Sequence, residues 1–232
     1  MSNTFQQQVL HEDNHTIVIN KQSGQLVQGD KTKDKSLIDL TKAYLKEKYN
    51  KPGEVFCGLV HRLDRPTSGA LVLARTSKGL SRLSQQFKGR EVQKIYWAIV
   101  EKAPQEKEGT LINFLKKNEK QNKSYVYDKE VSGAKRAELD YNLLASSDKY
   151  HLVELVLKTG RHHQIRVQLS NIGCIIKGDL KYGAKRSNKD ASISLHARNL
   201  SFNHPTTKER INITAPVPND ALWQFFEKEM KK

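Results

Sequence analysis

The amino-acid sequence predicts an α+β fold, a mixed, largely antiparallel β-sheet with flanking helices. Three observations carry this reading. Strand-like runs dominate the chain, helical stretches are few, and the two do not alternate regularly. The same pattern speaks against a doubly wound nucleotide-binding fold, which is built from repeated strand–helix units. The 232 residues, 37% of them hydrophobic, suffice for one sizeable core or two small ones. A single compact domain over residues 1–232 is expected. With the first strand starting near His15, there is little room for an accessory N-terminal domain.

Strands are expected at residues 15–19, 93–100, 134–144, 150–157, 192–202 and 208–214, with Leu71, Val72 and Leu73 forming a further, buried one. Residues 36–49 predict a helix, because Leu37, Leu40, Tyr44 and Leu45 share one face and Ser36 and Asp39 have the spacing of a capping box. Residues 77–88 repeat the pattern through Leu80, Leu83 and Phe87, with Gly89 as the stop. A third helix is expected over residues 162–172, with Ile165, Leu169 and Ile172 inward and Gly173 ending it. The last, residues 220–231, places Leu222, Phe225 and Phe226 behind Asn219 as cap. Residues 116–133 are polar, lysine-rich and weakly patterned, so they read as a hairpin or loop excursion at the surface.

Charge narrows the partner. Against 25 Asp and Glu stand 40 Lys and Arg, a formal net charge of +15. Such an excess repels itself within the fold and suits a polyanionic partner, for which nucleic acid is the first choice. Cys57 and Cys174 lie singly in apolar stretches, which indicates neither a disulfide framework nor a cysteine zinc site. Both read as core residues in a reducing compartment. Residues 1–14 are polar, without the apolar core of a signal peptide, and no apolar run reaches bilayer-spanning length. A cytoplasmic, monomeric protein without membrane contact is expected.

Three segments carry chemistry. In His61-Arg62-Leu63-Asp64-Arg65-Pro66-Thr67-Ser68-Gly69 one carboxylate stands between two guanidinium groups, and nearby cations favour its ionised form. Asp64 is therefore available as a nucleophile, on a turn made by Pro66 and Gly69. The second segment, Thr159-Gly160-Arg161-His162-His163-Gln164-Ile165-Arg166, joins a strand to the third helix. A phosphate is expected against that helix N-terminus, helped by Arg161. Arg166 falls near the inward face, and its planar guanidinium suits it to orient Asp64. His162 and His163 do not make a metal site, since adjacent helical residues diverge and no further ligand sits at the right spacing. The third segment, Lys94-Ile95-Tyr96-Trp97-Ala98-Ile99-Val100, alternates, with Ile95, Trp97 and Ile99 as the core face and Lys94, Tyr96 and Ala98 on the other. There Tyr96 is placed to stack on a base.

Taken in order, these segments resemble the ribosomal-large-subunit type of pseudouridine synthase, which isomerises uridine in RNA. The resemblance covers nearly the whole chain. It runs from residues 61–75 through residues 94–100 and 160–169 to Gly178-Asp179 with Tyr182-Gly183. It continues in Leu195-His196-Ala197, Phe202, His204-Pro205 and Ala215-Pro216-Val217-Pro218. It implies that Asp64 is the catalytic aspartate, Tyr96 the ring beside the target uracil and Arg166 the ion-pair partner of Asp64. RNA would be the substrate, ribosomal first and transfer second, with Arg62, Lys94 and Arg161 binding it and with no metal or organic cofactor. Four positions depart from the pattern: Gln22 where Pro is usual, Gln168 where His is common, and Cys174-Ile175 in place of His-Pro.

Isomerisation of uridine breaks the N1–C1′ bond, turns the ring and joins C5 to C1′. A carboxylate serves by attacking the sugar or by taking a sugar proton, and the sequence leaves both routes open. The uridine must be flipped out of its stack, at roughly a few kcal/mol. Two other classes remain. One is a non-catalytic RNA-binding or ribosome-assembly protein on the same scaffold. The other is a retaining hydrolase, which requires a second carboxylate near Asp64, and nothing marks Glu54, the nearest in sequence.

Overall fold

The computed structural model describes residues 5–29 and 34–231. Two compact units make it up, Met1–Gln93 with Ala197–Pro216 and Lys94–His196 with Val217–Lys232. The sheet is largely antiparallel and carries four helices among the described residues, as the sequence predicts.

In the first unit every residue of β4 (Ser68–Ala74) is buried. That is why its sequence is a continuous apolar run and not an alternation. β2 (Thr16–Lys21) lies antiparallel to it, from Thr16 opposite Ala74 to Lys21 opposite Gly69. β1 (Val9–Glu12) pairs with β2, and the short β3 (Gly58–Leu59) pairs with β4. Next to β4 comes β10 (Leu195–Asn203), which belongs to this unit from Ala197 onward, and β11 (Arg210–Thr214) pairs with it antiparallel. Helix α1 (Leu37–Lys48) begins at the expected capping box, with Ser36 and Asp39 each accepting from the other's backbone N–H. Helix α2 (Ser77–Gly89) is capped by Thr76. Gly89 is its last residue, and Arg90, at φ 61°, takes the left-handed stop expected of the glycine. The Gln86 amide fastens α2 to β10, donating to Asn203 O at 2.7 Å and accepting from Asn203 N at 2.9 Å. The core between them contains Val18, Val72, Leu83 and Phe202.

The second unit has the strand order β5 (Gln93–Val100), β9 (His151–Leu157), β8 (Lys135–Ser146), β6 (Glu108–Asn118), β7 (Lys123–Tyr127), all antiparallel. The stretch over residues 116–133 is indeed a hairpin, formed by β6 and β7. Its first strand starts earlier than expected, at Glu108. Trp97 and Ile99 pack with Leu152, Trp223 and Phe226 in one core. Leu115, Ala137, Val167 and Tyr182 form another.

Two helices in this unit differ from expectation. Helix α3 (Gln164–Asn171) begins later, because His163 holds φ 53° and is its N-cap. It ends before Gly173, at φ 80°, as expected, but Ile172 is exposed where an inward position was expected. Helix α4 (Ala221–Glu229) is capped by Asp220, not Asn219, through bonds from the N–H groups of Leu222 and Trp223. That start turns Trp223 and Phe226 inward and leaves Phe225 exposed. Cys57 and Cys174 are buried free thiols. Among the described residues no helix is long and apolar enough to cross a membrane.

Candidate active site

The aspartate segment folds as a turn in which Thr67 N donates to Asp64 O at 3.0 Å. Asp64 is half-buried at its start and Arg62 is exposed. Arg65 is committed elsewhere: its Nε donates to Gly24 O at 3.0 Å and its Nη2 meets Asp34 at 3.1 Å. The turn is stitched to the end of β2 by Gly24 N to Arg65 O at 2.8 Å and Ser23 Oγ to Pro66 O at 2.9 Å. His61 caps the following strand, its Nε2 accepting from Val72 N at 3.1 Å while its ring stacks on Phe87.

Beneath this turn lies a cation that the sequence reading passed over. Lys21 is fully buried. Its Nζ donates to Thr67 O at 2.6 Å, Arg65 O at 2.9 Å and Gln22 O at 3.1 Å. Burial pushes the ammonium down to about 7; the Asp64 charge opposes that shift, and the Arg65 charge adds to it. A buried charge persists only with such partners. Lys21 therefore fixes the backbone on which Asp64 sits and supplies positive charge to its carboxylate from behind. The only sequence signal was a charged residue closing a strand whose centre, Ile17 to Ile19, is apolar.

In the second unit Arg166 is 5% exposed on α3, and Asp179 holds it bidentately, Nε to Oδ2 at 2.7 Å and Nη2 to Oδ1 at 2.8 Å. The Tyr182 ring lies 5.1 Å from its Cζ. The Tyr182 hydroxyl in turn accepts from Ser124 N at 2.8 Å and lies 2.9 Å from His163 Nδ1. Burial, then the Arg166 charge, pushes the His163 imidazole down to about 2, so it is neutral in any ordinary buffer. The His162 and His163 rings do not diverge as helical neighbours would. With His163 left-handed they stack, centroids 3.8 Å apart. Among the described residues no group of three or more His, Cys, Asp or Glu side chains is gathered to hold a metal.

Tyr96 is buried on β5 opposite Leu155. On the other face Trp97 donates from Nε1 to Glu154 at 3.2 Å. Lys94 Nζ stands 3.6 Å from where a Cβ at Gly160 would be, next to the turn that carries Arg161. Arg161 leans on β8, its Nε donating to Arg136 O at 2.9 Å, and its N–H is taken by Gln164 Oε1 at 3.0 Å. The backbone N–H of Arg161, the residue expected to help hold a phosphate at this helix N-terminus, thus has a partner inside the chain.

The departures have local reasons. Gln22 N donates to Gln25 Oε1 at 2.8 Å, a bond that proline lacks. Gln168 ties α3 to β6, its Nε2 donating to Asn113 Oδ1 at 2.8 Å and Leu111 O at 3.2 Å. Cys174 fills a buried site as a small apolar residue would.

Comparison with known proteins agrees with the fold. A family model for RNA pseudouridylate synthase matches residues 15–171. The chain is 32% identical over 246 residues to an RNA pseudouridine synthase of Chlorobaculum parvum, covering 91% of this chain and 71% of the relative. It is 32% identical over 225 residues to ribosomal large subunit pseudouridine synthase C of Buchnera aphidicola, covering 94% and 69%. The solved structure of human RNA pseudouridylate synthase domain containing 4 superposes with a TM-score of 0.82 at 25% identity, over 99% of this chain and 95% of that one. Fold and relatives define an isomerase. The chain belongs to the RNA pseudouridylate synthase family, in the type represented by the ribosomal large subunit synthases.

Proposed function

We propose that this enzyme converts a particular uridine of a structured RNA to pseudouridine, with Asp64 as the catalytic carboxylate, Tyr96 as the ring against the uracil and Arg166 as the counter-ion of Asp64. The observation that carries the reading is the aspartate turn itself. A half-buried carboxylate on a backbone held by a buried ammonium is a preorganised anion, ready to act without reorganisation. Asp179 accepts from Nε and Nη2 of Arg166, and a guanidinium, with its five N–H donors, is the side-chain group best suited to serve carboxylates. Arg62 is assigned to the space vacated by the flipped base or to a neighbouring phosphate, and Lys94 and Arg161 to the RNA backbone.

In either route the C1′–N1 bond breaks, the uracil turns while held against Tyr96, C5 bonds to C1′ and gives up its proton, and N1 takes up a proton, so no atom is gained or lost. Exclusion of water keeps the separated state from hydrolysing to an abasic site. Ribosomal RNA is the first substrate to try, since relatives carry large-subunit names, and transfer RNA the second. The test is chemical mapping of pseudouridine in RNA from cells with and without the gene, followed by reconstitution with purified protein. One site is expected to vanish and to return with the unaltered chain but not with Asp64→Asn. Full product from Asp64→Asn would sink the assignment, and rescue of growth by Asp64→Ala without product would favour a non-catalytic RNA-binding role.

A further inference from the structure

We propose that the outer face of strands β7, β6 and β8 is a stacking platform for unpaired RNA nucleotides. The inference rests on the RNA-isomerase reading and extends it to a surface of the second unit. Alternation splits the side chains of these strands. Leu115 and Ala137 are spent on the inner face, against Val167 and Tyr182. The outer positions keep large rings and chains in solvent: Ile112 is 51% exposed, Tyr125 39% and Tyr127 38%. Registers join them into one strip, with Tyr127 opposite Phe114, Phe114 opposite Arg136, and Tyr125 opposite Lys116. Tyr125 and Tyr127 stand two residues apart on one strand, about 7 Å, so each ring can take its own base.

Charge selects the occupant. The hairpin end carries Lys116, Lys117, Lys120, Lys123, Lys135 and Arg136, and Lys123 Nζ lies 5.7 Å over the Tyr125 ring. The far end of the same strands is acidic, a shallow pocket of about 440 Å³ lined by Glu108, Asp140 and Glu154 among others. A polyanion is drawn to the first end and repelled by the second. A second copy of a chain with net charge +15 is repelled by its own excess. Aromatic rings beside cations are the means by which sheets bind single strands, because every base has a face to stack on, whereas a duplex hides those faces. The inner face of the hairpin is bonded through Ser124 to Tyr182, which lies against Arg166, so the platform belongs to the same unit as that residue.

The test measures anisotropy of a labelled single-stranded oligouridylate and of a blunt, fully paired RNA duplex of equal length, at fixed salt, on the full chain. Tyr125→Leu with Tyr127→Leu is expected to weaken the single strand at least tenfold and the duplex less than about twofold. Tyr125→Phe with Tyr127→Phe keeps the rings and is expected to bind as the unaltered chain does. Equal losses on both probes, or none on the single strand, overturn the platform. So does sedimentation showing a dimer that the leucine pair splits, which makes the face a contact between copies. If the leucine pair lowers the melting temperature, Lys116→Gln reads the same face, with a shallower salt dependence expected and an unchanged one contradicting the proposal. Pseudouridine formation by the unaltered chain separates the two readings: product without the selective loss sinks the platform alone, and the selective loss without product sinks the catalytic reading alone.

Discussion

Asp179 grips Arg166 through both carboxylate oxygens, at 2.7 and 2.8 Å, with both side chains out of solvent. The pair fixes the plane of the guanidinium, and the Tyr182 ring lies against it. Arg166 is thus oriented by the chain's own residues, independently of substrate. Removing one partner from a buried pair leaves an uncompensated charge, which costs more than the pair contributes. Asp179→Ala is expected to lower stability by about 3–5 kcal/mol, read from urea unfolding. A loss under about 1 kcal/mol would mean that the guanidinium is held by other groups.

The Tyr182 hydroxyl accepts from the buried Ser124 N–H and thereby pins β7 to the α3 side of the unit. Tyr182→Phe keeps the ring beside Arg166 and removes the hydroxyl, which takes away the acceptor of Ser124 N and the contact at His163 Nδ1. The orphaned donor costs about 1–3 kcal/mol. Amide exchange at Ser124 is expected to speed up while the β5–β9 ladder is unchanged; uniform acceleration across the unit would point to global unfolding instead.

How much of this was legible depends on how local the signal was. The capping box at Ser36 and Asp39 and the turn at residues 64–67 are written within four residues, and both are found. The start of α3 was misplaced because the left-handed φ of His163 is set by tertiary contacts, its ring held at Tyr182 and stacked on His162. At α4 the expected cap was Asn219, whereas Asp220 caps the helix, and the inward face carries Trp223 in place of Phe225. Lys21 and Asp179 escaped because their meaning lies in groups 44 and 13 residues away. Sequence pattern signals faces and turns; it does not show which buried polar group meets which.

Gly69, the second residue of β4, holds φ 113° directly opposite Lys21, and a Cβ there would stand 2.3 Å from Ala197 O and 2.5 Å from Ala197 N. Neither neighbour is a movable side-chain end. Gly69→Ala is expected to destabilise by more than about 4 kcal/mol, the range reserved for forced backbone rearrangement. Gly173→Ala is the control. It shares a positive φ of 80° but has nothing within 4 Å, so only backbone strain of about 1–2 kcal/mol applies. Equal thermal shifts for the two would show that the contact at Ala197 is not what demands glycine.

Lys21 makes stability depend on pH in a direction opposite to that of a paired carboxylate. Its folded pKa is lowered to about 7, from an ordinary value of 10.5, so between those limits the unfolded chain binds a proton that the folded chain does not. Stability therefore rises with pH across that window, by up to about 1.4 kcal/mol per unit. Below pH 7 both states are protonated and the cost of burying the ammonium is fully present. Lys21→Met removes the titration but also takes the lysine donor from the carbonyl of Thr67, at about 1–3 kcal/mol, while Arg65 O keeps its bond from Gly24 N. The variant is expected to be less stable at every pH. The gap to the unaltered chain should widen by roughly 2 kcal/mol from pH 7 to 9, because only the unaltered chain gains as its lysine discharges. Chemical unfolding of both proteins across that range checks it. Parallel curves would mean that the three carbonyls and Asp64 keep the ammonium charged throughout, and that the cation behind the aspartate turn is permanent.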